Sequence, residues 1–161
     1  WINILKELND INELDIIYVE SKDRLNTISG NKLIDDSDII FVSEMSKLEL
    51  KNFNIPENKT YCVGTKNFGE NNGVFYNYTE SNYYNQRVKI DDEFIKSNNK
   101  LSSEWGKNYI NLLGYVLIND NVPVFTNDSL FISQDTRHLT RGGAKFFAQL
   151  VEEDIRLILK K

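Results

Sequence analysis

Apolar positions 1, 2, 4, 5 and 8 lie on one helical face, so the chain opens on a helix over residues 1–8. No capping residue precedes it, as if the chain were cut inside that helix. Three continuous apolar runs follow, at residues 14–19, 38–43 and 60–63, and each reads as a strand. The connection between the first two runs is polar, with Gly30-Asn31 and Asp35-Asp36. Residues 46–53 form a short helix, with Ser46 as its cap and Glu49 at the capping-box position. Residues 64–85, rich in Gly, Asn and Tyr, read as a long loop. Residues 90–101 predict a helix whose first turn carries Asp91, Asp92 and Glu93, where the helix dipole favours acids. A further strand is expected over 108–113, and a small hairpin over 122–133 around Thr126-Asn127-Asp128-Ser129. Thr140 then caps a helix running from about 141 to the end, with Ala144, Phe147, Ala148, Val151, Ile155, Ile158 and Leu159 as its apolar stripe.

Short buried-type runs alternating with helical patterns predict an α/β domain with a mostly parallel sheet covered on both faces. At 161 residues the chain suits one domain over 1–161. It begins at Trp1 and not at a methionine, so it is expected to be a piece of something longer. A hydrophobic content of 40% and a net charge of −5 describe a globular acidic protein, which disfavours nucleic acid as a partner. Sugars and neutral or cationic small molecules stay open. The single cysteine, Cys62, lies in an apolar run and reads as a small buried hydrophobe. It cannot build a disulfide framework or a cysteine metal site. No phosphate-cradling glycine loop is visible, and no cofactor is expected. The acidic groups Asp35-Asp36-Asp38 and Glu152-Glu153-Asp154 read as solvated faces and not metal sites. Sequons at Asn58, Asn77 and Asn127 would matter only in a secreted eukaryotic protein, and the Asn/Lys/Ile-rich composition points to a bacterium.

The candidate chemistry lies at Asp135-Thr136-Arg137-His138, which places the only histidine three residues after an aspartate at the mouth of the last helix. A carboxylate that holds one imidazole tautomer leaves the other ring nitrogen able to accept a proton from a nucleophile. The competing reading is a capping aspartate beside a surface histidine. The pair also follows the last strand-like element, where open α/β sheets place their sites.

Residues 131–144, Phe-Ile-Ser-Gln-Asp-Thr-Arg-His-Leu-Thr-Arg-Gly-Gly-Ala, resemble the last conserved block of the SGNH (GDSL-type) hydrolase superfamily. More narrowly they resemble the SGNH domains of bacterial surface-polysaccharide O-acyltransferases, as does the approach Val-Pro-Val-Phe-Thr-Asn-Asp at 122–128. The resemblance covers the last third of the chain; the remainder fits by element order. It implies a three-layer α/β/α sandwich of flavodoxin-like type. It implies that His138 is the general base and Asp135 its orienting partner. The family's oxyanion-hole asparagine corresponds best to Asn67, in Gly64-Thr65-Lys66-Asn67-Phe68-Gly69, although the usual Gly-x-Asn-Asp form is absent. The family nucleophile, a serine in Gly-Asp-Ser, has no counterpart, since neither Ser21 nor Ser43 has a glycine-acid context. By this alignment that serine and the first strand lie upstream of Trp1. The cysteine pair of some relatives is also missing; that neighbourhood holds Tyr115, Ile118 and Val122.

The resemblance implies acyl transfer to a bacterial surface glycan, or ester hydrolysis, by a Ser-His-Asp mechanism. The acyl group would come from acetyl-CoA or a membrane acyl carrier. The partners implied are a carbohydrate acceptor and a membrane acyltransferase domain in the same chain, and the setting is the periplasm or cell envelope, with the cytoplasm as the alternative. A second function class is an inactive glycan-binding or scaffolding domain, with Tyr76, Tyr78, Tyr83 and Tyr84 as stacking groups. A flavodoxin-like nucleotide binder ranks last.

Overall fold

Three parallel strands organise the chain in the order β1-β2-β4. These are β1 (Ile40–Ser43), β2 (Thr60–Val63) and β4 (Tyr109–Ile110). The computed structural model describes residues 2–8, 15–19, 25, 27–65, 67–68 and 80–160. Strand β2 lies between the other two, pairing Ile40 with Thr60 on one side and Val63 with Ile110 on the other, and all four of its residues are buried. Alternate side chains of a strand face opposite ways, and β2 feeds two separate cores. Tyr61 and Val63 join Ile4 and Leu5 of α1 (Ile2–Lys6) and Phe147, Val151 and Ile155 of α5 (Arg141–Leu159). Cys62 joins Ile34 of α2 (Ile28–Asp36), Leu50 of α3 (Lys47–Asn52), and Leu101 and Trp105 of α4 (Asp92–Trp105). The chain is therefore mixed α/β, with a parallel sheet and helices packed on both faces. A separate antiparallel ribbon pairs β3 (Arg87–Lys89) with β5 (Asn121–Pro123).

Local signals set several of these elements. The capping box at Ser46 and Glu49 is formed in both directions, as the sequence predicts. Thr140 caps α5 by accepting from the Gly143 amide at 3.0 Å. The hairpin closes through the Phe125–Phe131 bridge, with the Thr126 amide donating to the Leu130 carbonyl at 2.8 Å.

Other expectations are corrected. Residues 15–19 form no strand; Ile16, Ile17 and Tyr18 are 36, 58 and 63% exposed, and residue 14 lies outside the described residues. A β-branched run becomes a strand only by pairing, and the described partner of β1 is β2 alone. The polar connection before β1 contains α2, because the Thr27 hydroxyl accepts from the Gly30 amide at 3.0 Å and starts a helix where no element was expected. Helix α4 continues past 101 to Trp105, whose indole N–H donates to the Met45 carbonyl at 2.8 Å; it stops at Gly106, where φ is 54°. The strand expected over 108–113 shrinks to two residues. Asn111 accepts from the Gly114 amide at 3.0 Å and bends the chain away from the sheet. Of the loop expected over 64–85, residues 66 and 69–79 lie outside the described residues, and Glu80–Asn85 is a 3-10 helix.

Candidate acid–base site

The site begins where α5 does. The Thr140 hydroxyl donates to the Phe131 carbonyl, and the Thr140 amide donates to the Ile132 carbonyl at 3.0 Å. Gly143 lies so close to this segment that a Cβ built on it would stand 2.0 Å from the Ile132 oxygen. The helix start is thus fastened to the outgoing arm of the hairpin. Between them, residues 133–139 form a turn closed by the Ser133–Leu139 bridge.

Asp135 organises that turn. Its Oδ1 accepts from the Arg137 amide at 2.7 Å and the His138 amide at 2.6 Å. Its Oδ2 lies 2.7 Å from His138 Nδ1. The two backbone amides, with the imidazole contact behind them, hold the carboxyl down at about 2. It is therefore a carboxylate at neutral pH, and a carboxylate only accepts, so Nδ1 carries the proton. In its neutral form the ring then keeps its lone pair on Nε2. The His138 side chain is 85% exposed, and among the described residues none hydrogen-bonds Nε2. The sequence-level alternative of a capping aspartate is realised in the same residue: Oδ1 braces the turn while Oδ2 orients the ring.

Asn67 reaches the same neighbourhood from the sheet. After β2 the chain passes Gly64, which has no room for a side chain because a Cβ would lie 2.5 Å from the Tyr109 hydroxyl. The Thr65 hydroxyl accepts from the Asn67 amide at 3.3 Å. The next amide, Phe68, donates to the Thr136 carbonyl at 3.0 Å, and the Phe68 ring packs on Phe147 of α5. Asn67 is buried, and with Thr136 and Arg137 it lines a cleft of about 530 Å³ whose other wall carries Lys89, Asp91 and Phe94. The three residues singled out in the sequence thus lie on two loops joined by a backbone hydrogen bond.

The remaining candidates are placed differently. Tyr83 is half-buried against Phe125, and Tyr84 is 55% exposed at the edge of the same ring cluster; Tyr76 and Tyr78 lie outside the described residues. Asp35, Asp36 and Asp38 are exposed, while Glu152 pairs with Arg156 at 2.8 Å and Asp154 accepts from the Tyr115 hydroxyl. Cys62 is fully buried, and burial pushes its thiol up to about 11. Sequence reasoning missed the cleft wall from Lys89 to Phe94, because it is assembled by the β3–β5 ribbon and the start of α4. It also missed Ser133, which lies two residues before Asp135 and reads in sequence as a strand end.

Comparison with protein-family models, curated proteins and solved structures finds no match to this chain.

Proposed function

We propose that this chain carries the histidine–aspartate half of an SGNH-type acyl-transfer site, in a three-layer α/β/α sandwich, acting as an O-acyltransferase or esterase on a bacterial surface glycan. The observation that carries the reading is the 2.7 Å contact between His138 Nδ1 and Asp135 Oδ2, with the opposite ring nitrogen turned to solvent. The nucleophilic serine would come from a further strand beside β1, whose partner among the described residues is β2 alone. That strand would restore the pairing that residues 15–19 lack.

In this mechanism the serine oxygen attacks the acyl carbonyl of an ester or thioester while His138 Nε2 takes the hydroxyl proton. Asp135 stabilises the imidazolium without itself being protonated. The Asn67 carboxamide and backbone amides hold the oxyanion of the tetrahedral adduct. Collapse expels the alcohol or thiol, which receives the proton from His138 and leaves an acyl-serine. A sugar hydroxyl, or water, then attacks the acyl-serine with His138 again as base, and serine regains its proton when the second adduct collapses.

The test is labelling of the natural protein with a serine-directed fluorophosphonate, together with acyl-transfer assays on His138→Ala. Labelling at one serine and a rate loss of about 10³-fold or more support the reading. Unchanged turnover in His138→Ala overturns it. The exposed Tyr84 and Phe131 rings favour a second reading, an inactive glycan-binding module, which requires sugar binding without any labelling.

A further inference from the structure

We infer that Ser133 is a positioning residue for the Asp135–His138 pair: its buried hydroxyl clamps the turn that holds carboxylate and imidazole together. Ser133 is 6% exposed, and its Oγ lies 2.5 Å from the Asp135 carbonyl and 2.6 Å from the His138 carbonyl. The same oxygen accepts from the Asp135 amide at 3.3 Å. One hydroxyl proton is thus shared between the two carbonyls that bracket the turn, while its lone pairs serve the amide at the turn's entrance. Among the described residues, Ser133 is the only side chain that bonds the backbone of both members of the pair.

The consequence for the chemistry is geometric. Asp135 meets its own turn through Oδ1 and the ring through Oδ2, so the Nδ1 contact depends on how far apart the Asp135 and His138 backbones stand. Besides the Asp135 Oδ1 bonds and the Ser133–Leu139 bridge, the bonds from Phe68 to Thr136 and from Thr140 to Ile132 reach this region, but neither of these two touches the backbone of either partner. Without the Ser133 hydroxyl, two carbonyls in a partly buried turn lose their shared donor, and the turn relaxes toward water-bonded forms. The ring then escapes its carboxylate. Free imidazole favours the Nε2–H tautomer, in which the nitrogen facing a substrate is a donor and no longer a base.

The kinetic consequence rests on the proposed function; the tautomer consequence does not. His138 is the only histidine, so its ring ¹⁵N signals are assigned without ambiguity. In the wild type those signals should report Nδ1–H at neutral pH. In Ser133→Ala they should move toward the Nε2–H pattern, and in an active protein kcat should fall by about tenfold to a hundredfold with KM within about twofold. Ser133→Thr keeps the oxygen and should lie closer to wild type than Ser133→Ala on both readouts. If Ser133→Ala does not fold, retention of Nδ1–H in Ser133→Thr supports the clamp and its loss overturns it. Val151→Ala, a core truncation in α5, controls for simple loss of stability and should leave the tautomer unchanged. A Ser133→Ala protein that keeps the wild-type ¹⁵N pattern overturns the inference, whatever its activity. A protein without any acyl-transfer or esterase activity overturns the proposed function and leaves the tautomer result to decide Ser133.

Discussion

The Phe68 amide donates to the Thr136 carbonyl at 3.0 Å, so the loop leaving the central strand is tied to the turn that carries the histidine. The oxyanion candidate is the residue just before Phe68, and the orienting aspartate the residue just before Thr136. A displacement of one loop therefore drags the other. This coupling makes the two halves of the site separable by side-chain mutation while the backbone connection persists.

Asn67→Ala in the active natural protein should lower kcat by about 10²–10³. Its fold should survive at some cost in stability: alanine retains the main-chain amides that bond Thr65 and Thr136 but loses the contacts of a buried carboxamide. Steady-state kinetics beside a circular dichroism spectrum check both halves of this expectation. A variant with unimpaired turnover would remove Asn67 from the mechanism.

Acid stability should carry the signature of Asp135. Its carboxyl titrates at about 2 in the folded chain, held there chiefly by the His138 and Arg137 amides, against ~3.9 for an unfolded aspartate. A folded value below the unfolded one contributes stability above the unfolded value, and that contribution disappears as pH falls from about 4 to about 2. Thermal melts of wild type and Asp135→Asn should therefore converge over that interval and run parallel above pH 5. Because the side chain is half exposed, the difference should be modest.

Gly143→Ala should destabilise the protein by about 2 kcal/mol or more, against the usual gain of up to ~1 kcal/mol for removing glycine from a helix. The cause is the Ile132 carbonyl, which leaves no space for a methyl group. Denaturant titration of the variant measures it. A neutral or stabilising result would mean that α5 does not lie against the hairpin as described.

Cys62 should resist thiol reagents in the folded state. It is fully buried, and its thiol is pushed up to about 11. At pH 8 its reaction with an aromatic disulfide should be more than about a hundredfold slower than that of a free thiol. Denaturant should restore the ordinary rate.

The parts legible in the sequence were those determined by neighbours in the chain. The capping box at Ser46, the cap at Thr140, the stripe of α5 and the four residues of β2 depend on local spacing, and each forms where the pattern puts it. The Asp-x-x-His contact was legible for the same reason, since both groups come from one turn. What failed depended on distant partners. The run at 15–19 has strand composition but no described strand beside it. Strand β3 is three residues long and exists through pairing with residues 121–123. Helix α2 was hidden because Gly30 and the paired aspartates imitate turn signals, while its start is set by one threonine hydroxyl. Ser133 escaped notice because its role is to bond carbonyls, which no residue spacing announces.

The open side chains at residues 17 and 18 have a practical consequence at the bench. Ile17 and Tyr18 are 58 and 63% exposed, and adjoining apolar groups left in water adhere to whatever hydrophobic surface arrives first. Self-association should therefore grow with concentration, and light scattering before any functional assay separates that stickiness from genuine glycan or acyl-donor binding.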